Sequence, residues 1–232
     1  MRFGVVIFPG SNCEQDVIRA TQYLGFDSEY IWHGDTDISG FDAIVLPGGF
    51  SYGDYIRTGA VARFSPVMAE VIRFAEAGGP VLGICNGFQI LTEAHLLPGA
   101  MLRNRGLKFI CKQVNLRVED NVCEWLDEAA GTVLQFPINH NEGNYYCDAQ
   151  TLDRLKANGQ VVLRYVEADG STAPGGSAPN GSLDDIAGIC NERGNVFGLM
   201  PHPERMVDPI NGGTDGQPFF TTIVRRLAEV AG

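Results

Sequence analysis

The chain is short of positive charge. Its 232 residues hold 17 lysines and arginines against 28 aspartates and glutamates, a net charge of −11. Its longest basic run is the pair Arg225–Arg226, which leaves no electrostatic footprint for nucleic acid or an anionic membrane. Long apolar runs are missing too. The opening MRFGVVIFPG is too short for a membrane span or a signal peptide and reads as a first strand. Paired metal-ligand spacings are absent. Cys13, Cys85, Cys111, Cys123, Cys147 and Cys190 form no C-x-x-C, and His33, His95, His140 and His202 are dispersed, so no metal is expected. Scattered cysteines of this kind fit a reduced, cytoplasmic setting. No glycine-rich loop runs into G-K-[ST], which excludes a P-loop for nucleotide phosphates.

What is present is an α/β pattern. A hydrophobic content of 44% supplies a sizeable core, and the length suits one domain over residues 1–232. Arg2–Phe8 reads as a buried strand. Ser11 and Glu14 form a capping-box pattern opening a helix to about Leu24. Strands follow at Ser28–Trp32 and Ala43–Leu46, and helical spacing runs through Thr58–Ala77, broken near Pro66. Later strands are expected at Leu107–Val118, Thr132–Ile138 and Gln160–Val166. Cys123–Ala130 reads as a short helix or turn, Asn139–Asp148 as a polar loop, and Ala149–Ala157 as a helix. Gly170–Ser182 reads as a mobile surface loop. Ile186–Cys190 and Val196–Met200 read as a hairpin, and Pro218–Val230 as a last helix. Short connections between strands and helices predict a doubly wound, mostly parallel sheet, with sites at the carboxyl ends of its strands.

The stretch VLGICNGFQIL, Val81–Leu91, stands out. It passes from an apolar β run through Gly83, Cys85 and Gly87 into a helical pattern. A nucleophile with glycines two residues to either side is a strand–turn–helix elbow, carrying Cys where hydrolases carry Ser. The helix that follows points its N-terminus at the sulfur, which favours thiolate. A buried structural cysteine in a glycine-rich turn gives the same pattern, so the elbow alone does not decide. Pro47-Gly48-Gly49 ends another strand, and its unobstructed N–H groups suit an oxyanion hole. His202-Pro203-Glu204 follows an apolar strand. Pro203 is expected to keep the segment extended and out of helix, so His202 and Glu204 share a face, and the carboxylate orients the imidazole as a base.

At these residues the sequence resembles the triad-type (class I) glutamine amidotransferases, with their PGG loop, G-x-C-x-G-x-Q elbow and late H-P-E. FPGSNCEQD, GGFSYGDY, HNEGNYYC and APNGSLDDIAGICNERGNVFGLMPHPER narrow the likeness to glutaminase subunits of purine biosynthesis. The resemblance implies a flavodoxin-like α/β fold, Cys85 as nucleophile, His202 as base and Glu204 as its orienter. It further implies oxyanion donors near Gly48, Gly49 and Asn86, and Gln89 as a substrate contact. His140, Glu142 and Arg57 are weaker candidates for a pocket rim or a partner contact. Glutamine is then the substrate, with no cofactor in this chain. The ammonia passes to a large synthetase subunit that holds ATP and magnesium and converts formylglycinamide ribonucleotide, with a small bridging subunit between the two. The competing readings are a synthetase of another kind as acceptor, a peptidase- or deglycase-type cysteine hydrolase on the same fold, and a non-catalytic regulatory subunit.

Overall fold

The computed structural model describes the backbone of residues 1–231 and the side chains of residues 1–229. Four segments build the first half of a nine-stranded sheet: β1 (Arg2–Ile7), β2 (Asp27–Trp32), β3 (Ala43–Leu46) and β4 (Val81–Ile84). They lie in the order β2-β1-β3-β4, all parallel. Helices α1 (Glu14–Tyr23) and α2 (Pro66–Glu76) supply crossovers, as the doubly wound reading requires. Every residue of β3 and β4 is buried, which is why these strands are continuous apolar runs rather than alternating ones.

Beyond β4 the sheet changes direction. The remaining elements are α3 (Asn86–Glu93), β5 (Ala100–Leu102), β6 (Ile110–Val118), β7 (Val133–His140), β8 (Asn144–Tyr146), α4 (Ala149–Ala157), β9 (Val161–Val166), β10 (Ile186–Cys190), β11 (Val196–Leu199) and α5 (Gln217–Ala231). β11 returns to lie parallel beside β4, with Leu199 opposite Ile84. From there β10, β9, β6 and β7 continue the sheet in antiparallel pairs. The parallel, doubly wound half therefore carries an antiparallel extension. α5 packs across both. Its Phe220 meets Phe3 at 6.2 Å between ring centroids, and its Phe219 meets Phe136 at 5.4 Å and Phe197 at 5.9 Å.

Five local expectations change or narrow. Ser11 does not cap α1. Its hydroxyl accepts from the Phe8 N–H at 3.0 Å, and Cys13 takes the N-cap position without a side-chain hydrogen bond. Pro66 does not break a helix but opens α2 at its first position, where no N–H is needed. Cys123–Ala130 holds no helix but a turn at Glu124–Trp125, where Trp125 is drawn wholly into the core and donates to the Asn195 carbonyl at 3.0 Å. Asn139–Asp148 is not a free loop. β7 runs on to His140, opposite Ile110, and β8 pairs with β5 in a separate two-stranded sheet. The far end of Gly170–Ser182 is pinned, with Asn180 fully buried and donating to the Gly143 carbonyl at 2.7 Å.

The elbow depends on two glycines. A Cβ on Gly87 would lie 1.9 Å from the Leu46 carbonyl oxygen, and one on Gly83 would lie 2.7 Å from the Gly87 carbonyl. Helix α3 therefore rests directly on β3 and β4. Gly87→Ala must push this contact apart. We expect it to cost about 1–3 kcal/mol of stability, as overpacked cores do, and to lower the thermal unfolding midpoint relative to an alanine change at exposed Gly106, where a Cβ meets nothing within 4 Å.

Candidate active site

Cys85 leaves β4 with φ 51° and ψ −102° and serves as the N-cap of α3. Positive φ is costly for a non-glycine residue, so this elbow is held by its surroundings. The Cys85 N–H donates to the Leu199 carbonyl at 2.8 Å, which ties it to the end of β11. Three residues further along that chain stands His202, its N–H bonded to the Pro137 carbonyl at 3.0 Å. The adjacent ends of β4 and β11 thus bring the Cys85 thiol and the His202 imidazole to one sheet edge.

His202 and Glu204 are buried, with Nδ1 of the one 2.5 Å from Oε1 of the other. The segment is not extended, as its sequence suggested. Pro203–Arg205 makes a turn of 3₁₀ helix that His202 caps. Proline at the first helical position permits this, since its fixed φ also suits a helix. The turn still delivers the carboxylate to Nδ1, because the two side chains close over a single intervening residue. A carboxylate only accepts, so Nδ1 carries the proton and Nε2 is left as a lone pair. Among the described residues Nε2 has no partner, so the Cys85 thiol does not reach it in this structure.

Cys85 is only 5% exposed. Burial pushes its thiol well above the ordinary range, with contributions from Cys13 and Glu204, while the Asn86 N–H and Arg205 pull the other way. The sequence pattern suggested a thiolate favoured by the helix terminus. That effect is about 0.3–1 kcal/mol, whereas desolvating an anion costs several, so burial wins here.

The PGG loop lies against the same edge. The Gly48 carbonyl accepts from the Cys13 N–H at 3.2 Å, and Gly49 bridges Ser11. Among the described residues the Gly49 N–H makes no backbone hydrogen bond. Gly48 must be glycine, since a Cβ there would stand 2.8 Å from His202 Cε1 and 3.0 Å from Cys13 Sγ. The Asn86 side chain accepts from the Ser51 N–H at 3.1 Å and donates to Gln89 at 2.8 Å. Gln89 in turn donates to the Glu142 carbonyl at 2.5 Å. This relay fixes the loop, α3 and the chain after β7 relative to one another.

A cleft of about 230 Å³ opens beside the sulfur, lined by Gly49, Cys85, Gln89, His140 and Glu142 among others. Arg57 lies outside it, forked onto Glu93 of α3 at 2.5 and 2.7 Å. Gln89 reaches the cleft but has its amide engaged by protein. Asp54, Thr58, Arg103 and Asn139 also line the cleft, and the sequence reading gave none of them a role. Asp54 and Thr58 follow PGG closely enough to have been found; Arg103 and Asn139 had no signal. Cys13, one of the scattered cysteines, is buried beside His202 and Glu204. Its sulfur is 3.1 Å from Arg205 Nη2, and burial raises its thiol to about 12.

A cysteine at an elbow, a carboxylate-oriented imidazole and the N–H groups of Gly49 and Asn86 suit acyl transfer through a thioester. The family model for the CobB/CobQ-like glutamine amidotransferase domain matches residues 1–216. The chain belongs to that family of glutamine amidotransferases. This amidotransferase is 55% identical over 226 residues to phosphoribosylformylglycinamidine synthase subunit PurQ of Moorella thermoacetica, covering 97% of this chain and 95% of that one. It is 56% identical over 233 residues to the protein of the same name from Thermomicrobium roseum, covering 100% and 98%. Among solved structures it superposes on a chain of the PurLQS complex of Thermotoga maritima with a TM-score of 0.85 and 44% identity, covering 97% and 98%.

Proposed function

We infer that this amidotransferase is the glutaminase subunit of phosphoribosylformylglycinamidine synthase, working in de novo purine biosynthesis. Full-length identity above half to two PurQ proteins carries the reading, and the Cys85, His202 and Glu204 arrangement supports it. The chain assembles with a PurL-type synthetase and a PurS-type bridging subunit, as in the Thermotoga complex. Among the described residues no helix is long and apolar enough to cross a membrane, which agrees with work in the cytoplasm.

In the first step Cys85 attacks the side-chain carboxamide of glutamine, and His202 Nε2 takes the thiol proton. The N–H groups of Gly49 and Asn86 receive the developing oxyanion, each contributing about 3–4 kcal/mol to the transition state. His202 returns the proton to the departing nitrogen, and ammonia leaves. Water, deprotonated by His202, then splits the thioester, releasing glutamate and restoring the thiol. Glu204 stabilises the imidazolium throughout. ATP and magnesium act on the partner synthetase, which uses the ammonia to form the amidine.

The raised Cys85 thiol and the unclosed contact to His202 make the isolated chain slow. Glutamate release from glutamine should rise at least about 100-fold when the synthetase and bridging subunits, formylglycinamide ribonucleotide and ATP are supplied, with one amidine formed per glutamate, general-base contributions being about 10²–10⁴-fold. An assembled complex that releases no glutamate would refute the glutaminase reading. Full activity in the isolated chain would refute the coupling.

A further inference from the structure

The cleft beside Cys85 holds acceptors to which no protein group donates among the described residues. Asp54 Oδ1, Asn139 Oδ1 and His140 Nε2 line it, and among the described residues each is a buried atom with no partner. The state of His140 follows from its neighbour. Asn104 Nδ2 donates to the carbonyls of Lys108 and His140, both at 2.9 Å. Its Oδ1 therefore faces the Gly143 N–H and His140 Nδ1, both at 3.1 Å. An amide oxygen only accepts, so Nδ1 holds the proton and Nε2 is a bare lone pair. His140 is only 3% exposed. Burial, then the charge of His202, push it down to about 4, so it stays neutral.

Two carboxylates complete the lining. Burial, then the charge of Glu142, raise Asp54 to about 6. Glu142 has a distant cation in Arg103, 3.5 Å away and largely exposed, and accepts from Thr58 Oγ1 at 3.1 Å. Among the described residues Asp54 forms no ion pair. Asp54 is aimed by a run of left-handed backbone at Tyr52, Gly53 and Asp54, with φ of 53°, 70° and 56°.

We propose that Asp54, with Glu142 and His140 Nε2, forms the subsite for the α-ammonium group of glutamine. An ammonium brings three donors and one positive charge to Asp54 Oδ1 and His140 Nε2, which have neither, and adds to the single hydroxyl and exposed guanidinium that Glu142 has. A cleft of about 230 Å³ suits a single amino acid, with its amide end at Cys85 and its amino end at Asp54. The subsite selects α-amino acids from other primary amides. The proposal rests on the glutaminase reading.

An ammonium can reach this cleft from two sources, the α-group of the substrate or the product ammonia. The test compares glutamine with 4-carbamoylbutyrate, which releases the same ammonia but lacks the α-amino group, in the assembled complex. In the Asp54→Asn variant, kcat/KM for glutamine should fall about 10–100-fold, the scale of a charge-assisted hydrogen bond. The fall should lie mainly in KM, while the low rate with 4-carbamoylbutyrate stays unchanged. Glu142→Gln should move in the same direction by less. In the wild type, kcat/KM for glutamine should also drop as pH falls through about 6, because protonation removes the charge that attracts the ammonium. That limb should vanish in Asp54→Asn and be absent with 4-carbamoylbutyrate. The thermal midpoint of Asp54→Asn should match or exceed that of the wild type, since the change removes a partly desolvated carboxylate. Equal loss on both amides, the pattern of a product site or a structural role, would overturn the assignment while leaving the glutaminase reading standing. A wild-type complex inactive on glutamine would remove that reading instead.

Discussion

Replacing Cys85 by alanine should abolish glutamine-dependent amidine formation in the assembled complex and leave synthesis from added ammonia intact. The expected loss is about 10⁴-fold or more, since removing a nucleophile takes away the covalent step itself and leaves only binding and the oxyanion donors. The substitution is mild structurally. Alanine fills most of the space of a side chain that is already buried, and the positive φ of the elbow is held by the contacts of Gly83 and Gly87 rather than by the thiol. Ammonia-dependent turnover is the control that separates lost chemistry from lost assembly. Loss of both activities would mean that Cys85 supports the complex rather than the reaction.

Glu204→Gln should cost about 10³–10⁴-fold in glutamine hydrolysis with little change in KM. The carboxylate and imidazole are both buried, 2.5 Å apart. A carboxamide keeps the shape of the carboxylate but can turn its NH₂ toward Nδ1, which then accepts. The ring proton moves to Nε2, and the base is lost without moving any atom far. The imidazolium of the transition state also loses its counter-charge. The measurement is pre-steady-state release of ammonia, which reports thioester formation alone. A drop of less than tenfold would mean that Glu204 is dispensable as an orienter.

Much of this was legible in the sequence where local chemistry and position agreed. Val81–Leu91 announced strand, elbow and helix, because apolar β-branched residues, paired glycines and a helical period each pointed to the same local structure. His202 and Glu204 were legible as partners from their spacing, although the segment turns where an extended form was expected, because proline satisfies either backbone. Less was legible where distant pairing governs. β5 and β8 are three residues each and gain their identity only from one another. The capping box failed because Ser11 bonds back to Phe8 to hold the chain against Gly49, a demand of the site rather than of the helix. Asp54 was visible in PGGFSYGD, but its importance depends on Glu142, 88 positions away in the chain. Solvation was the least legible property. A helix N-terminus at Cys85 could be read from the pattern; the burial that outweighs it could not.

The central claim is that glutamine is held on Cys85 as a thioester. The assembled complex should be mixed with glutamine, quenched in acid within one turnover, digested and examined by mass spectrometry. The peptide containing Cys85 should carry one glutamyl group, and the label should disappear in Cys85→Ala and on treatment with hydroxylamine. A glutamyl group on Cys13, or hydrolysis at full rate with no label on any cysteine, would contradict the account.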